Sequence, residues 1–277
     1  MPGVATRVAA RGLREVYRRE LIPVRLRWWL AARGMRDWFR IVARELREQV
    51  GRDQARALVT ELAATTFERR REVLRSDLPA LARADSLGPF MAALYRARRE
   101  PKSHFIFAGV GGVPNSTAGW WRAQRLIRPL DAEARWREVT VHLGEWLIVL
   151  TEELPARLPR ARQITGDICY RMGKRYAESI IAMFRLRGHS PAHAIEVLRM
   201  SEYIFRVNPE HWGETDDASA WLEGTACPWF ERPGWQQVHC GIFGRFQAGI
   251  SETFGLSYRL TRTIPKQGGH TCRIDLV

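Results

Sequence analysis

Apolar positions recur at helical spacing along most of the chain and give way to strand-like alternation near its end. Over 7–20, Leu13, Val16 and Tyr17 fall on one side of a helix, and Pro23 interrupts it. Over 25–50, Leu26, Trp29, Leu30, Trp38, Ile41, Val42 and Leu46 keep close to a period of 3.6 residues, and Gly51 ends the run. Asp53 reads as the cap of a third helix carrying Leu58, Leu62, Phe67 and Val73, and 86–99 reads as a fourth with Phe90, Met91, Leu94 and Tyr95 inward. The pattern breaks over 103–117, where a short strand leads into Gly109-Val-Gly-Gly112. That loop lacks the spacing of a dinucleotide fingerprint and the Lys-Ser/Thr of a P-loop, so it reads as a turn or a flap over a pocket. After a short amphipathic piece over 120–129, a strong helix follows over 131–154, with Trp136, Val139, Leu143, Trp146, Leu147 and Leu150 in phase. Another spans 160–187 and is closed by Gly188; Cys169 shares its apolar face and reads as a core thiol. Ser190-Pro191 supplies an N-cap and a first helical residue for the next.

Beyond Ser201 the spacing changes. Tyr203, Phe205 and Val207 alternate with Ile204, Arg206 and Asn208, which predicts a strand over 203–207 and a polar turn over 209–217. A second strand is expected over 218–227, with Trp221, Glu223, Thr225 and Cys227 on one face. A helix begins near Gln236 and carries Cys240, Phe243, Gln247, Ile250 and Phe254, with Gly255 as its cap. Gly241 and Gly244 thin that helix for close approach to a sheet. A last hairpin pairs 257–264 with 271–277. The expectation is an α+β protein: a long N-terminal helical half, then a small antiparallel sheet packed on helices. A helical extension over 1–100 and a core over 101–277 would divide it, unless the chain is one continuous domain.

Composition narrows this picture. The 277 residues carry a formal charge of +14, and the first fifty hold twelve arginines against five acids. A basic helical segment can bind nucleic acid or an anionic membrane. Here the arginines interleave with acids, so a solvated helix face is the expected reading and nucleic acid is not an expected partner. No run approaches the ~20 apolar residues of a membrane span, and 1–33 holds no uninterrupted apolar stretch of the kind a secretory leader has. The expected setting is cytoplasmic, where four cysteines are core thiols, metal ligands or catalytic groups.

Three of those cysteines, Cys227, Cys240 and Cys272, fall in the terminal stretch. They could hold a zinc ion as three ligands with an open fourth position, or they could fill a tight sheet–helix junction. No Cys-x-x-Cys pair is present, and His239 and His270 stand close by in sequence. Cys240 is expected near a helix N-terminus, where the dipole favours a nucleophilic thiolate. Glu223 could activate a water, as could His239. Arg262 falls in phase with Tyr258, Leu260 and Ile264, so it reads as an inward guanidinium needing a carboxylate, either Glu223 or that of a substrate. A one-residue register error would reverse that phase. Trp221, Trp229 and Tyr258 would line a substrate pocket, or serve as core.

Cys227-Pro228 at a strand end, a helix bearing Cys240, Thr261-Arg-Thr-Ile264, and Gly269-x-x-Cys272 in the last strand together resemble the L-2-amino-thiazoline-4-carboxylic acid hydrolase family. That group is similar in outline to the vinyl-reductase-like (V4R) ligand-binding domains. The resemblance covers 171–277. It departs from the family pattern at His270, where an aspartate is usual. What it implies is a hydrolase opening a C–N or C=N bond of a small cyclic carboxylated substrate, with Cys227, Cys240 and Cys272 at matched positions. The alternative it implies is a non-catalytic small-molecule-binding module. A small-molecule substrate is the expected partner, with a homo-oligomer as a further option.

Overall fold

The computed structural model describes residues 4–55, 57–59, 61–62, 65–66, 69, 132–186, 190–205, 207, 211–225, 227–230, 232–263 and 271–277. The helix expected over 86–99, the loop Gly109–Gly112, the piece over 120–129, Gly188 and His270 lie outside these residues. So does the expected boundary near residue 100. The described chain forms two compact units, one of residues 24–162 and one of 1–23 with 163–277.

The first unit holds two long helices, α2 (Val24–Val50) and α3 (Ala132–Glu152), which pack along one another. Trp28, Ala31, Trp38, Val42 and Leu46 of α2 are buried, as are Trp136, Val139, Trp146, Leu147 and Leu150 of α3. The inward tryptophan is therefore Trp28, and Trp29 is 41% exposed, contrary to the sequence phase. Adjacent Trp28 and Trp29 fit the period almost equally well, and packing decides between them. From Thr140 to Thr151 every residue of α3 is buried, as for a helix enclosed on all sides. That stretch includes His142 and Glu145, and Glu145 Oε2 accepts a hydrogen bond from Arg69 Nε at 3.0 Å.

The second unit contains α1 (Val4–Arg18), α4 (Ala161–Phe184), α5 (Pro191–Phe205), α6 (Gln237–Thr253) and four strands: β1 (His211–Thr215), β2 (Ala220–Gly224), β3 (Tyr258–Arg262) and β4 (Cys272–Leu276). The strands form one antiparallel sheet in the order β1-β2-β4-β3. Helices α5 and α6 pack on each other and on the sheet. The fold is α+β, a long helical portion followed by a small antiparallel sheet. Among the described residues no helix is long and apolar enough to cross a membrane.

Two elements differ from the sequence reading. Residues 203–205 are the end of α5, not a strand. Ala194, Val197, Leu198, Ser201 and Glu202 are all buried, so the apolar residues 203–205 prolong a helix, and a short apolar run does not by itself separate helix from strand. The expected polar turn over 209–217 instead contains β1, and the chain turns at 216–219. There Asp216 Oδ1 accepts the backbone N–H groups of Ala218 at 2.8 Å and Ser219 at 2.5 Å. Ser190 caps α5 as expected: its Oγ accepts His193 N–H at 3.3 Å, and Pro191 is the first helical residue.

Helix α6 is held by close backbone approach. A Cβ at Gly249 would meet Tyr170 O at 2.1 Å, and one at Gly173 would meet Phe246 O at 1.9 Å. These two glycines let α4 and α6 cross nearly backbone to backbone. Gly244 does face the sheet as expected, with Tyr258 Oη at 2.9 Å from its would-be Cβ, whereas Gly241 is exposed with nothing within 4 Å. Cys169, on α4, is the core thiol expected.

Candidate functional site

Strand alternation sorts the sheet's side chains onto two faces. The register pairs Leu222 with Ile274 and Leu260 with Ile274, and pairs Glu223 with Arg273. Leu222, Cys272, Ile274, Tyr258 and Leu260 therefore share the face covered by α5 and α6. Trp221, Glu223, Arg259, Arg273 and Asp275 share the other. Between Leu260 and Arg262 the register of β3 shifts, and Arg262 pairs across from Arg273. Such a bulge inserts one residue and inverts the alternation beyond it. Arg262 consequently belongs to the outer face, with its side chain 49% exposed, and Thr263 turns inward and is buried.

The inner face and α6 line a half-open cavity of about 60 Å³. Cys227, Cys240 and Cys272 all line it, with Trp229, Trp235 and Phe243 as its aromatic wall. The Trp229 ring lies 4.9 Å from Trp235 and 4.9 Å from Phe243, centroid to centroid. Glu202 of α5 and Gln247 of α6 line it too, both buried. Gln247 Nε2 donates to Glu202 Oε1 at 3.3 Å, and its Oε1 accepts from Tyr258 Oη at 2.8 Å. Two hydrogen-bonded polar side chains, Glu202 and Gln247, thus line a mostly apolar pocket, with Tyr258 bonded behind Gln247.

Burial governs the acid–base state of this site. It pushes the Cys227 thiol up to about 12, raises Cys240 and raises the Tyr258 phenol. Cys240 sits at the fourth position of α6, but desolvation outweighs the favour of the helix dipole for a thiolate. Among the described residues no group of three or more His, Cys, Asp and Glu side chains is disposed to hold a metal ion.

The remaining expected residues lie elsewhere. His239 is fully buried at the start of α6, where its Nδ1 accepts Gln236 N–H at 2.9 Å and completes a reciprocal cap; its ring lies 5.2 Å from Trp235. That makes it a helix cap beside the cavity, not a lining residue. Glu223, Arg262 and Trp221 are on the outer face, across the sheet from the thiols. Arg262 Nη1 reaches Glu223 Oε1 at 2.8 Å and Thr271 Oγ1 at 3.2 Å. Arg273 lies 3.6 Å from Glu223, donates to Asp275 at 3.0 Å, and stands 4.3 Å over the Trp221 ring. Burial alone would raise Asp275, but hydrogen bonds from Thr261 and Arg273 outweigh it and hold the carboxyl below its usual range. Of the two partners expected for Arg262, the internal one is present. The inward placement is not, because the bulge at 261 was not legible.

Glu202, Gln247 and Thr263 are the lining residues to which the sequence reading gave no role. A signal for Glu202 exists: continuing the helical period from Pro191 puts an acid inside an apolar stripe. A second cavity, an open cleft of about 690 Å³, lies between α1, α5 and β1. Its arginines are engaged by glutamates of the same unit: Arg14 forks onto Glu196 at 2.6 and 2.5 Å, and Arg18 and Arg19 pair with Glu15. The charges of Arg14, Arg18 and Arg19 are thereby answered within the fold. Neither a scan against protein-family models nor a search of curated proteins finds a match to the chain.

Proposed function

We propose that the chain binds a small organic molecule in the cavity between the sheet and α6, in the manner of a vinyl-reductase-like ligand-binding module. The observation that carries this reading is the convergence of three thiols, three aromatic rings and the Glu202–Gln247 pair on one cavity. Sites for small ligands combine apolar walls with a few placed polar groups in this way. The test is isothermal titration of the full chain with a panel of small heterocycles, repeated for Thr263→Trp, which fills the cavity, and Arg262→Ala, on the outer face. Saturable binding that survives in Arg262→Ala and is lost in a folded Thr263→Trp supports the reading. Binding that depends on Arg262 and ignores Thr263 overturns it.

A second reading keeps the ring-opening hydrolase. It is favoured by one observation, that the carboxylate of Glu202 and the thiol of Cys240 line the same cavity. Glu202 then takes the water-activating role expected of Glu223. Product analysis by mass spectrometry on the same panel separates the two: turnover abolished in Glu202→Gln favours the hydrolase, and binding without turnover favours the module.

A further inference from the structure

Helix α2 divides its residues between a buried side and a basic one. At about 100° per residue, Trp28, Ala31, Trp38, Val42 and Leu46 fall within an arc of about 80°, and all are buried. On the opposite side Arg25, Leu26, Trp29, Arg33, Arg44 and Arg47 fall within about 100°, and all six are exposed. The sequence spacing puts Arg36 and Arg40 on the same arc. No acid of the helix falls on it: Asp37 and Glu48 lie just beyond its edge and Glu45 further round. Acids that interleave with arginines along the chain are thus sorted away from them around the helix. Two apolar side chains stand among the charges. Leu26 is 46% exposed and Trp29 41%, with the Arg33 guanidinium 5.7 Å from the centroid of the Trp29 ring.

From this face we infer that α2 docks lengthwise on the anionic headgroup surface of a lipid bilayer. The inference is separate from the cavity reading, since α2 belongs to the other unit of the chain. The helix rests on the bilayer and does not cross it: among the described residues no helix is long and apolar enough to span one. Arginines are drawn to anionic headgroups, and an indole ring settles at the headgroup level, where one edge is wet and the other apolar. Leu26 reaches the same boundary layer, as the apolar residues of surface-lying helices do. The 27 residues of α2 extend about 40 Å. A straight arginine stripe of that length meets a flat surface from end to end. The major groove of a DNA duplex is about 12 Å wide and winds around its axis, so a helix packed on its far side follows it over only part of the stripe. A phosphate backbone also offers Leu26 no apolar contact.

Co-sedimentation of the full chain with vesicles tests this. The vesicles are phosphatidylcholine alone or phosphatidylcholine mixed with phosphatidylserine, and thermal unfolding followed by circular dichroism checks that each variant folds. The chain should sediment with the mixed vesicles and not with the neutral ones, and less so as salt rises. Each arginine at an anionic surface raises partition about fivefold, so Arg33→Gln with Arg44→Gln should lower it about 25-fold. Arg18→Gln with Arg19→Gln removes the same charge from α1 and should cost far less. Trp29→Ser should lower partition several-fold without changing its salt dependence, because the ring supplies apolar contact and no charge. Equal loss in the two double variants would show an effect of net charge alone and overturn the inference. So would equal sedimentation with both kinds of vesicle, none with either, or a Trp29→Ser chain that binds as well as the unaltered one. Binding of random-sequence duplex DNA or RNA that needs Arg33 and Arg44, in a chain that ignores vesicles, would also overturn it and assign the face to nucleic acid.

Discussion

Replacing Gly249 by Ala should unsettle the helix that carries Cys240, Phe243 and Gln247. The added Cβ would lie 2.1 Å from Tyr170 O, 3.0 Å from Lys174 N and 3.1 Å from Tyr170 C. All three are backbone atoms, so no side-chain rotation relieves the contact, and α4 and α6 must separate by about 1 Å to reach ordinary van der Waals distance. Overpacking of this kind costs about 1–3 kcal/mol, and the intrinsic gain of Ala over Gly in a helix returns up to about 1 kcal/mol. With that gain at about 1 kcal/mol, a net loss of up to about 2 kcal/mol follows, a drop of up to about 8 °C in Tm for a unit of this size. Gly241→Ala is the internal control: it sits on the same helix, is exposed and has nothing within 4 Å, so it should stabilise by up to about 1 kcal/mol. Thermal and urea unfolding of both variants read the difference directly. Should Gly249→Ala prove as stable as Gly241→Ala, the close crossing is wrong, and with it the placement of the cavity's α6 wall.

Other expectations follow from the two faces of the sheet. Arg262→Ala removes a half-exposed ion pair and should cost less than about 1 kcal/mol, whereas Glu223→Ala leaves Arg262 and Arg273 facing each other without their shared acid and should cost about 1–3 kcal/mol by urea unfolding. Alkylation followed by mass spectrometry should find Cys227 about a thousandfold slower than an exposed thiol at neutral pH, because its thiol is raised from 9.0 to about 12; rapid labelling in the folded protein would contradict that raised thiol. Asp275 is depressed in the fold, so its contribution is present above the ordinary carboxyl value and is lost as pH falls through the lower folded value. Asp275→Asn should flatten that acid limb of the stability–pH curve, and an unchanged limb would remove Asp275 as its source.

The sequence made the large elements legible because helical spacing repeats over many residues. The span 25–50, the capped start at Ser190-Pro191, the helix from Gln236 and the last hairpin all match within a few residues. Where it misled, one residue decided the matter. Trp28 and Trp29 compete for one inward position, and only packing against α3 selects Trp28. Tyr203 to Val207 alternates like a strand, yet it closes a buried helix whose partners are distant in the chain. The site suffered most from a single inserted residue. The pairing of Arg262 with Glu223 was foreseeable from charge, but the bulge at 261 turns Arg262 to the outer face, where regular alternation of β2 already places Glu223, across the sheet from the thiols. No local composition announces such a bulge, since β3 has no glycine there. Glu202 escaped notice because its helix was read as ending before it.

The central claim is that the ligand lies on the inner face of the sheet, against Trp229 and Phe243. A crystal structure of the protein with a ligand bound tests it most directly. The account predicts electron density between α6 and the inner strand face, in contact with those rings and with Glu202. Density on the outer face, against Trp221 and the Arg262–Glu223 pair, would contradict it.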